Sequence, residues 1–386
     1  MAHPLSGALT IRVATSPGEK RAAVVAHGSA APIDVAVWHP GFPDGVGDIH
    51  WGHVRAVTPG LGGRFVGLGP AEGFLPDTDC AGDADRPGVG QAVAVRIYRA
   101  AHGGPGGKGP RLTARLTEAE AAAAQAARGV AGLVCRGPDR LATLARRYPA
   151  ARIATDDATL AARLRAAFPD RVDLVARAFD DALLDAMAAL EVPDFPLPQG
   201  GALRFWPTPA LVAVDVDTGT GLPHGAKTAA HLRFNVELLP ELARQIRLRD
   251  LSGAILVDFA GLPPRRRAAL ETPLRAELAG DPNGARLTGF TGLGLAEIVR
   301  RRVHQPLHEI LASAPAVAAR ALRSAIAADR PGAALTVRMA PDVAAAYAQD
   351  QGMGDGLALR VAGRVGVRAD PSLPPGSWRL VSGAVP

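Results

Sequence analysis

From Leu9 to about Trp38, apolar and polar residues alternate in short runs (ALTIRVA, RAAVVAH, IDVAVW) broken by Gly, Ser and Pro, which predicts consecutive strands of a small sheet. Between Asp48 and Leu116 the runs shorten and glycine turns become frequent (IHWGHVRAV, GGRFVGLG, EGFLP, QAVAVRIYRA, KGPRLTARL). Short, evenly spaced strands predict a small β-barrel, with the OB type one candidate. At LTEAEAAAAQAARG the period changes: Thr117 and Glu120 are spaced as a capping box ahead of an alanine-rich helix that Gly129 can end. Residues 130–200 mix short strands (AGLVCR, RVDLVAR) with amphipathic helices (DDATLAARLRAAF, FDDALLDAMAALE), an α/β pattern closed by the turn chemistry of VPDFPLPQGG.

The following stretch is the most informative. ALVAVDVD predicts a strand, Ala226 to Leu251 a helix with arginines on its polar side, and GAILVDF a strand buried as in parallel sheets. Together they make a βαβ unit in which Pro240 must kink or restart the helix. Beyond GLPPRRR a further helix is expected, then RLTGF as a strand and GLAEIVRRR as a helix. From His304 onward a helix (AVAARALRSAIAA) and strands (ALTVRMA, LALRVAGRVGVRA) predict a small α/β appendage. The fold class is therefore α/β, organised as an α+β multidomain chain.

Composition narrows the picture. At 386 residues and 48% hydrophobic, the chain is long enough for two to four units with real cores. A net charge of +6 favours a polyanionic partner such as nucleic acid, or a membrane surface. Only three of 43 basic residues are lysine (Lys20, Lys108, Lys227), so an arginine-rich compositional habit accounts for the charge equally well. Cys80 and Cys135 stand far apart, outside any C-x-x-C spacing, which argues against a disulfide framework or a four-thiolate zinc site. With no export signal pattern and no run of 18 apolar residues, a cytoplasmic protein without a membrane span is expected.

VAVDVDTG, residues 212–219, places two carboxylates at the end of an apolar strand. Residues i and i+2 of a strand point to one face about 7 Å apart, so Asp215 and Asp217 look the same way. Asp258 sits near the end of the second strand of the βαβ unit, where Asp215 and Asp258 can converge at one rim. Converging carboxylates need a proton or a cation between them, and all-oxygen ligands suit Mg2+ or Mn2+. The plainer alternative is that each aspartate caps a turn or helix. Arg265, Arg266 and Arg267 follow Asp258, and Arg244, Arg247 and Arg249 lie on the intervening helix; they suit either a phosphodiester substrate or an ordinary solvated basic face.

VAVDVDTG, FNVELLPELARQIRLRDLSGAILVDF and GFTGLGLAEIVRRR, in that order, resemble the catalytic core of the ribonuclease E/G family across about 210–303. The remainder follows that family's order more weakly, including a barrel opening at IHWGHVRAVTPGLGGRFVGLGPAEGFLP and ending in GGKGPRLT. The resemblance implies an RNase H-like portion (1–45 and 151–205) with an inserted OB-fold RNA-binding barrel (46–116) and a shortened 5′ sensor region (117–150). It further implies a DNase I-like catalytic portion (206–303) and a small C-terminal domain (304–386). Carried over by position, Asp215 and Asp258 fall on the family's magnesium ligands, and Asp217 falls where an asparagine usually contacts the scissile phosphate. Phe65 and Phe74 match aromatics on which bases stack, against the alternative of barrel core, and Lys108 matches a lysine that holds the RNA backbone.

The implied activity is a Mg2+-dependent endoribonuclease cleaving single-stranded RNA, with catalytic Asp215, Asp258 and Asp217 and RNA-binding Phe65, Phe74, Lys108, Arg247, Arg249, Arg265 and Arg266. The alternative is an RNA-binding protein of the same fold with lost or weakened catalysis; a DNA nuclease is a third reading. The family's Cys-x-x-Cys after the GLxE motif is absent from RRRVHQPLHEILASAPAV, so neither structural zinc nor a zinc-linked dimer is expected. His304 and His308, at helical i, i+4 spacing, read as surface histidines. Arg136 is the one arginine of the shortened sensor region that the resemblance retains, with no threonine following it.

Overall fold

The computed structural model describes residues 8–69, 71–82, 86–103, 107–129, 131–219, 228–330, 334–361 and 364–383. The chain divides into two units: residues 1–39, 144–302 and 306–386 in the first, 40–143 and 303–305 in the second. Among the described residues no helix is long and apolar enough to cross a membrane.

The chain begins with β1 (Leu9–Ser16), β2 (Glu19–Ala26) and β3 (Asp34–Trp38), an antiparallel meander that pairs Ile11 with Val24 and Ala22 with Ala36. The alternation read along these runs is a burial alternation, with Ile11 and Val13 wholly buried.

The second unit holds β4 (Ile49–Thr58), β5 (Gly63–Gly67), β6 (Glu72–Pro76), β7 (Ala92–Arg99) and β8 (Arg111–Thr113). Their pairing order β4-β5-β6-β8-β7 returns to β4 and closes an OB-like five-stranded barrel. Val54, Val66, Leu75, Val95 and Leu112 fill it. The capping box forms as expected at α1 (Glu118–Ala126): Thr117 Oγ1 accepts from the Glu120 N–H, and the Thr117 N–H donates to the Glu120 carboxylate at 2.7 Å. β9 (Gly132–Cys135) then pairs with β4 outside the closed ring, and α2 (Arg140–Arg147) spans the boundary between the units.

In the first unit β10 (Arg152–Thr155) lies parallel to β1, and β11 (Val172–Leu174) parallel to β10, completing a five-stranded sheet. α3 (Ala158–Ala167) and α4 (Asp181–Ala188) each start on an aspartate, Asp157 and Asp180, that accepts from the third helical N–H.

A six-stranded sheet follows, built from β12 (Asp194–Pro196), β13 (Ala202–Pro207), β14 (Val212–Asp217), β15 (Gly253–Asp258), β16 (Arg286–Phe290) and β17 (Ala296–Arg300) in the order β12-β13-β14-β15-β17-β16. Only β14 and β15 are parallel, joined by helix α5 (Thr228–Leu248), which continues through Pro240 as one element. Short α6 (Pro264–Arg267) and α7 (Glu271–Leu278) lie between β15 and β16. Val214, Val216, Ile255, Val257 and Ile298 pack with Phe234, Leu238 and Leu242 of α5 and Leu274 of α7 into one core.

Three expectations are corrected here. GLAEIVRRR is strand β17, because Ala296, Ile298 and Arg300 point inward at period two; the inward arginine is held by Asp250 and Asp281. β15 is buried on one face only, since Ala254 and Leu256 face outward and β17 beside it runs antiparallel. In the C-terminal part, α8 (Leu307–Ala312), α9 (Ala314–Ala328), β18 (Leu335–Met339), α10 (Pro341–Gln349), α11 (Gln351–Val361), β19 (Val365–Ala369) and β20 (Trp378–Ser382) form a three-stranded sheet with helices, and LALRV belongs to α11 rather than to a strand.

Candidate active site

Register brings the carboxylates together. Asp215 and Asp258 are direct partners across the parallel pair β14 and β15, the last matched pair before the strands part. Partners in register share a face, so both side chains leave the sheet on the side away from α5, half exposed at 50% and 54%. Asp217 lies on the same face two residues on, its Oδ1 accepting from the Gly219 N–H at 2.8 Å. That hydrogen bond, joined by the nearby Arg204 guanidinium, outweighs the opposing effect of desolvation and holds the Asp217 carboxyl below the usual carboxylate range.

Each of these acids has a guanidinium beside it. Arg204, the register partner of Asp215 on β13, places Nη2 2.7 Å from Asp217 Oδ2 and Nη1 3.6 Å from Asp215 Oδ2. Arg267 donates through Nη1 to Asp258 Oδ1 at 2.7 Å, and its fork is fixed by the carbonyls of Leu262 and Gly294 at 2.8 and 3.0 Å. The RRR triplet thus divides: Arg265 and Arg266 are exposed, whereas Arg267 turns back onto Asp258.

Backbone near the acids is tightly supported. Asn235, wholly buried on α5, donates to the carbonyls of His231 and Ala260 at 2.7 and 2.9 Å and so ties the helix to the turn after Asp258. Gly261 has φ +64°, and a Cβ there would lie 2.0 Å from His231 Nδ1, so only glycine lets the turn close on the helix. Gly201 passes similarly close to the Asp217 carbonyl, 2.2 Å from where its Cβ would stand.

Two carboxylates in register, with water to complete the shell, fit a hydrated hard cation such as Mg2+. Among the described residues no group of three His, Cys, Asp or Glu gathers to form a fuller cage. Residues 220–227, beyond Asp217 and including Lys227, lie outside the described residues.

The predicted arginines at and just beyond the end of α5 have structural partners. Arg249 is buried, donating to the carbonyls of Ala189, Leu190 and Val192 and to Gln245, with its guanidinium 4.5 Å above the Phe205 ring. Burial without a carboxylate partner pulls its pKa down to about 10, and the assignment of Arg249 to RNA binding is corrected accordingly. Arg247 is half-buried and donates to the Ile33 carbonyl at 3.2 Å.

On the barrel, Phe65 and Phe74 are register partners whose rings meet edge to face at 5.3 Å, and neither belongs to the core cluster. Their strand neighbours Val66 and Leu75 point inward, so the phenylalanines face outward, half-exposed, with the Arg111 guanidinium 4.9 Å over Phe74. Lys108 is exposed two residues before Pro110, whose carbonyl accepts from the Phe74 N–H at 2.9 Å. Arg136 pairs with Asp48 at 2.7 Å. His304 and His308 are not a surface pair: His304 lies 2.6 Å from Asp44 before the helix begins, and burial lowers the pKa of His308 on α8.

Arg204, Trp206 and Asn235 were not among the expected site residues. The ALRFWP run already shows Arg204 and Trp206 on one strand face, but nothing in the sequence says that this strand pairs with VAVDVD.

The class defined so far is an α/β protein with an acidic site at the carboxyl ends of a parallel strand pair, accompanied by a closed β-barrel. Residues 160–303 match the Ribonuclease E/G family. The chain is 34% identical over 114 residues to Ribonuclease E of Escherichia coli K12, covering 29% of this chain and 11% of that protein. Ribonuclease E of Nostoc sp. is 34% identical over 119 residues (31% and 17%), and Ribonuclease G of Escherichia coli K12 33% identical over 117 residues (30% and 24%). The matched stretch spans less than a quarter of the length of each of these relatives.

Proposed function

We propose that this protein is a magnesium-dependent endoribonuclease that cleaves single-stranded RNA in RNA processing or decay, leaving 5′ phosphate and 3′ hydroxyl ends. The observation that carries the reading is the register pairing of Asp215 with Asp258 inside a segment that matches the ribonuclease E/G family. Magnesium, or manganese in its place, would supply a water of lowered pKa and charge stabilisation at the phosphoryl oxygens. Asp215 and Asp258 would hold the ion, and Asp217, fixed by the Gly219 N–H, would orient the attacking water or the phosphate. Exposed Arg265 and Arg266 would draw the RNA backbone, while Phe65, Phe74 and Lys108 would take bases and a phosphate on the barrel.

We read the five-stranded sheet as RNase H-like, the barrel as an OB-fold and the six-stranded sheet as DNase I-like. The protein is placed in the cytoplasm on the same reading, without a zinc-linked dimer.

Labelled single-stranded RNA incubated with purified protein and magnesium tests the assignment. Cleavage is expected from the wild type and lost in Asp215→Asn and Asp258→Asn; equal cleavage by all three would show the site to be elsewhere. Arg204 and Arg267 seated on the same acids favour a second reading, an RNA-binding protein without catalysis. That reading requires RNA binding in EDTA with no cleavage when magnesium is restored.

A further inference from the structure

The face of the six-stranded sheet opposite α5 is open. Along β13, β14 and β15 the residues facing α5 are buried (Leu203 and Phe205; Val212, Val214 and Val216; Ile255 and Val257) except Pro207 and Gly253 at strand ends, and every residue facing away is partly or fully exposed. Register arranges that open face in rows. One row runs Asp194, Arg204, Asp215, Asp258; the next, one side-chain step back along the strands, runs Trp206, Ala213, Leu256, Glu297. A charged row bearing the paired carboxylates therefore lies beside a largely apolar row that ends in a tryptophan exposed to 53%.

We propose that Arg204 and Trp206 form a nucleotide subsite of this open face, with the Trp206 indole stacking on a base of single-stranded RNA and Arg204 receiving the adjoining phosphate. The proposal rests on the reading of the face as an RNA-cleaving site and adds residues to it. Three observations support it. An indole left half in water is costly packing for a lone sheet but a sequence-tolerant surface for any base. Residues i and i+2 on one strand stand about 7 Å apart, roughly the reach from a nucleotide's base to its phosphate. Arg204 puts only Nη2 within hydrogen-bond distance of a carboxylate; Nη1 and Nε lie 3.6 and 3.9 Å from Asp215 and Asp194 and keep their protons for a phosphate. Without Arg204 the carboxylate of Asp217 would repel that phosphate, so the pair presents near-neutral charge where a lone acid would exclude the ligand.

Trp206 is a built-in probe. Emission of the wild type is titrated with a short unlabelled oligoribonucleotide in EDTA, beside Trp206→Leu and Trp206→Phe, and KM and kcat are measured with magnesium. Quenching on binding is expected in the wild type and reduced in both variants, with KM raised about 5- to 150-fold in Trp206→Leu, recovered in Trp206→Phe, and kcat little changed. Arg204→Gln is expected to raise KM, and Arg204→Gln with Asp217→Asn to recover part of the loss. A wild type that cleaves RNA with the same KM and quench as Trp206→Leu overturns the subsite while leaving the proposed function standing. A wild type that quenches but never cleaves removes the function and keeps the subsite. If Trp206→Leu changes only the sedimentation of the protein and not its RNA binding, the face is an interface between copies and the proposal fails.

Discussion

The Arg267 guanidinium grips Asp258 at 2.7 Å from a side chain only 11% exposed, with two of its donors fixed on the carbonyls of Leu262 and Gly294. A cation binding Asp258 therefore competes with a buried arginine that cannot swing far. Arg267→Met is expected to tighten Mn2+ binding several-fold, read by electron paramagnetic resonance. It should also lower stability by about 1–3 kcal/mol as the two carbonyls lose their donor. Unchanged Mn2+ affinity would mean that Asp258 is not a ligand.

Asp215 and Asp258 are half exposed and make no core contacts, so Asn at either position should leave the fold intact. Each substitution is expected to cut cleavage at least 100-fold while shifting the unfolding midpoint little, a combination measured by single-turnover kinetics beside thermal melts. A large fall in melting temperature without specific loss of turnover would assign the pair to structure.

Arg249 separates fold from function. Its donors satisfy three carbonyls in the interior, so Arg249→Met should cost on the order of 3 kcal/mol in chemical denaturation. RNA affinity per folded molecule should be unchanged, since this side chain is only 6% exposed and its donors are spent on interior partners. A selective loss of RNA binding at unchanged stability would restore Arg249 to the binding surface.

The outward phenylalanine pair of the barrel predicts the opposite pattern. Phe74→Ala should weaken binding of single-stranded RNA by about 1–3 kcal/mol with little change in stability. Lys108→Ala should lower affinity across sequences and reduce the slope of log affinity against log salt by about one. Filter binding across a salt series checks both, and destabilisation by Phe74→Ala without an RNA effect would return that ring to the core.

Glu19 is expected to contribute to the acid limb of the first unit's stability. It is buried, bonded to Arg21 at 2.6 Å and paired with Arg323; burial pushes its carboxyl up, but the two guanidinium groups outweigh that and hold it below its ordinary value of 4.5. A depressed carboxylate contributes stability above its unfolded pKa and loses it as pH falls through the folded value. Stability should therefore fall steeply below about pH 4.5, and Glu19→Gln should flatten that limb while costing about 3–5 kcal/mol near neutrality. Urea titrations between pH 3 and 7 measure it, and parallel acid limbs in both proteins would contradict the assignment.

Much of this was legible in the chain itself. Strand alternation, the Thr117 and Glu120 capping box, the βαβ unit and the placing of Asp215, Asp217 and Asp258 at strand ends follow from local periodicity and turn chemistry, which depend on neighbours a few residues away. GLAEIVRRR, expected as a helix, is a strand: Asp250 and Asp281, distant in sequence, make an inward Arg300 tolerable within a period of two. Arg249 likewise looked like a ligand-facing cation until the carbonyls of 189–192 claimed it.

By itself, then, the sequence determined which segments are strands and helices with a strong period, and which residue types stand at their ends. The tertiary structure alone decided that Asp215 faces Asp258 in register, that Arg204 and Arg267 attend them, and that Trp206 lies on an open face. Those relations join strands separated by tens of residues, and register and face are set by sheet pairing and core packing, which no local pattern encodes.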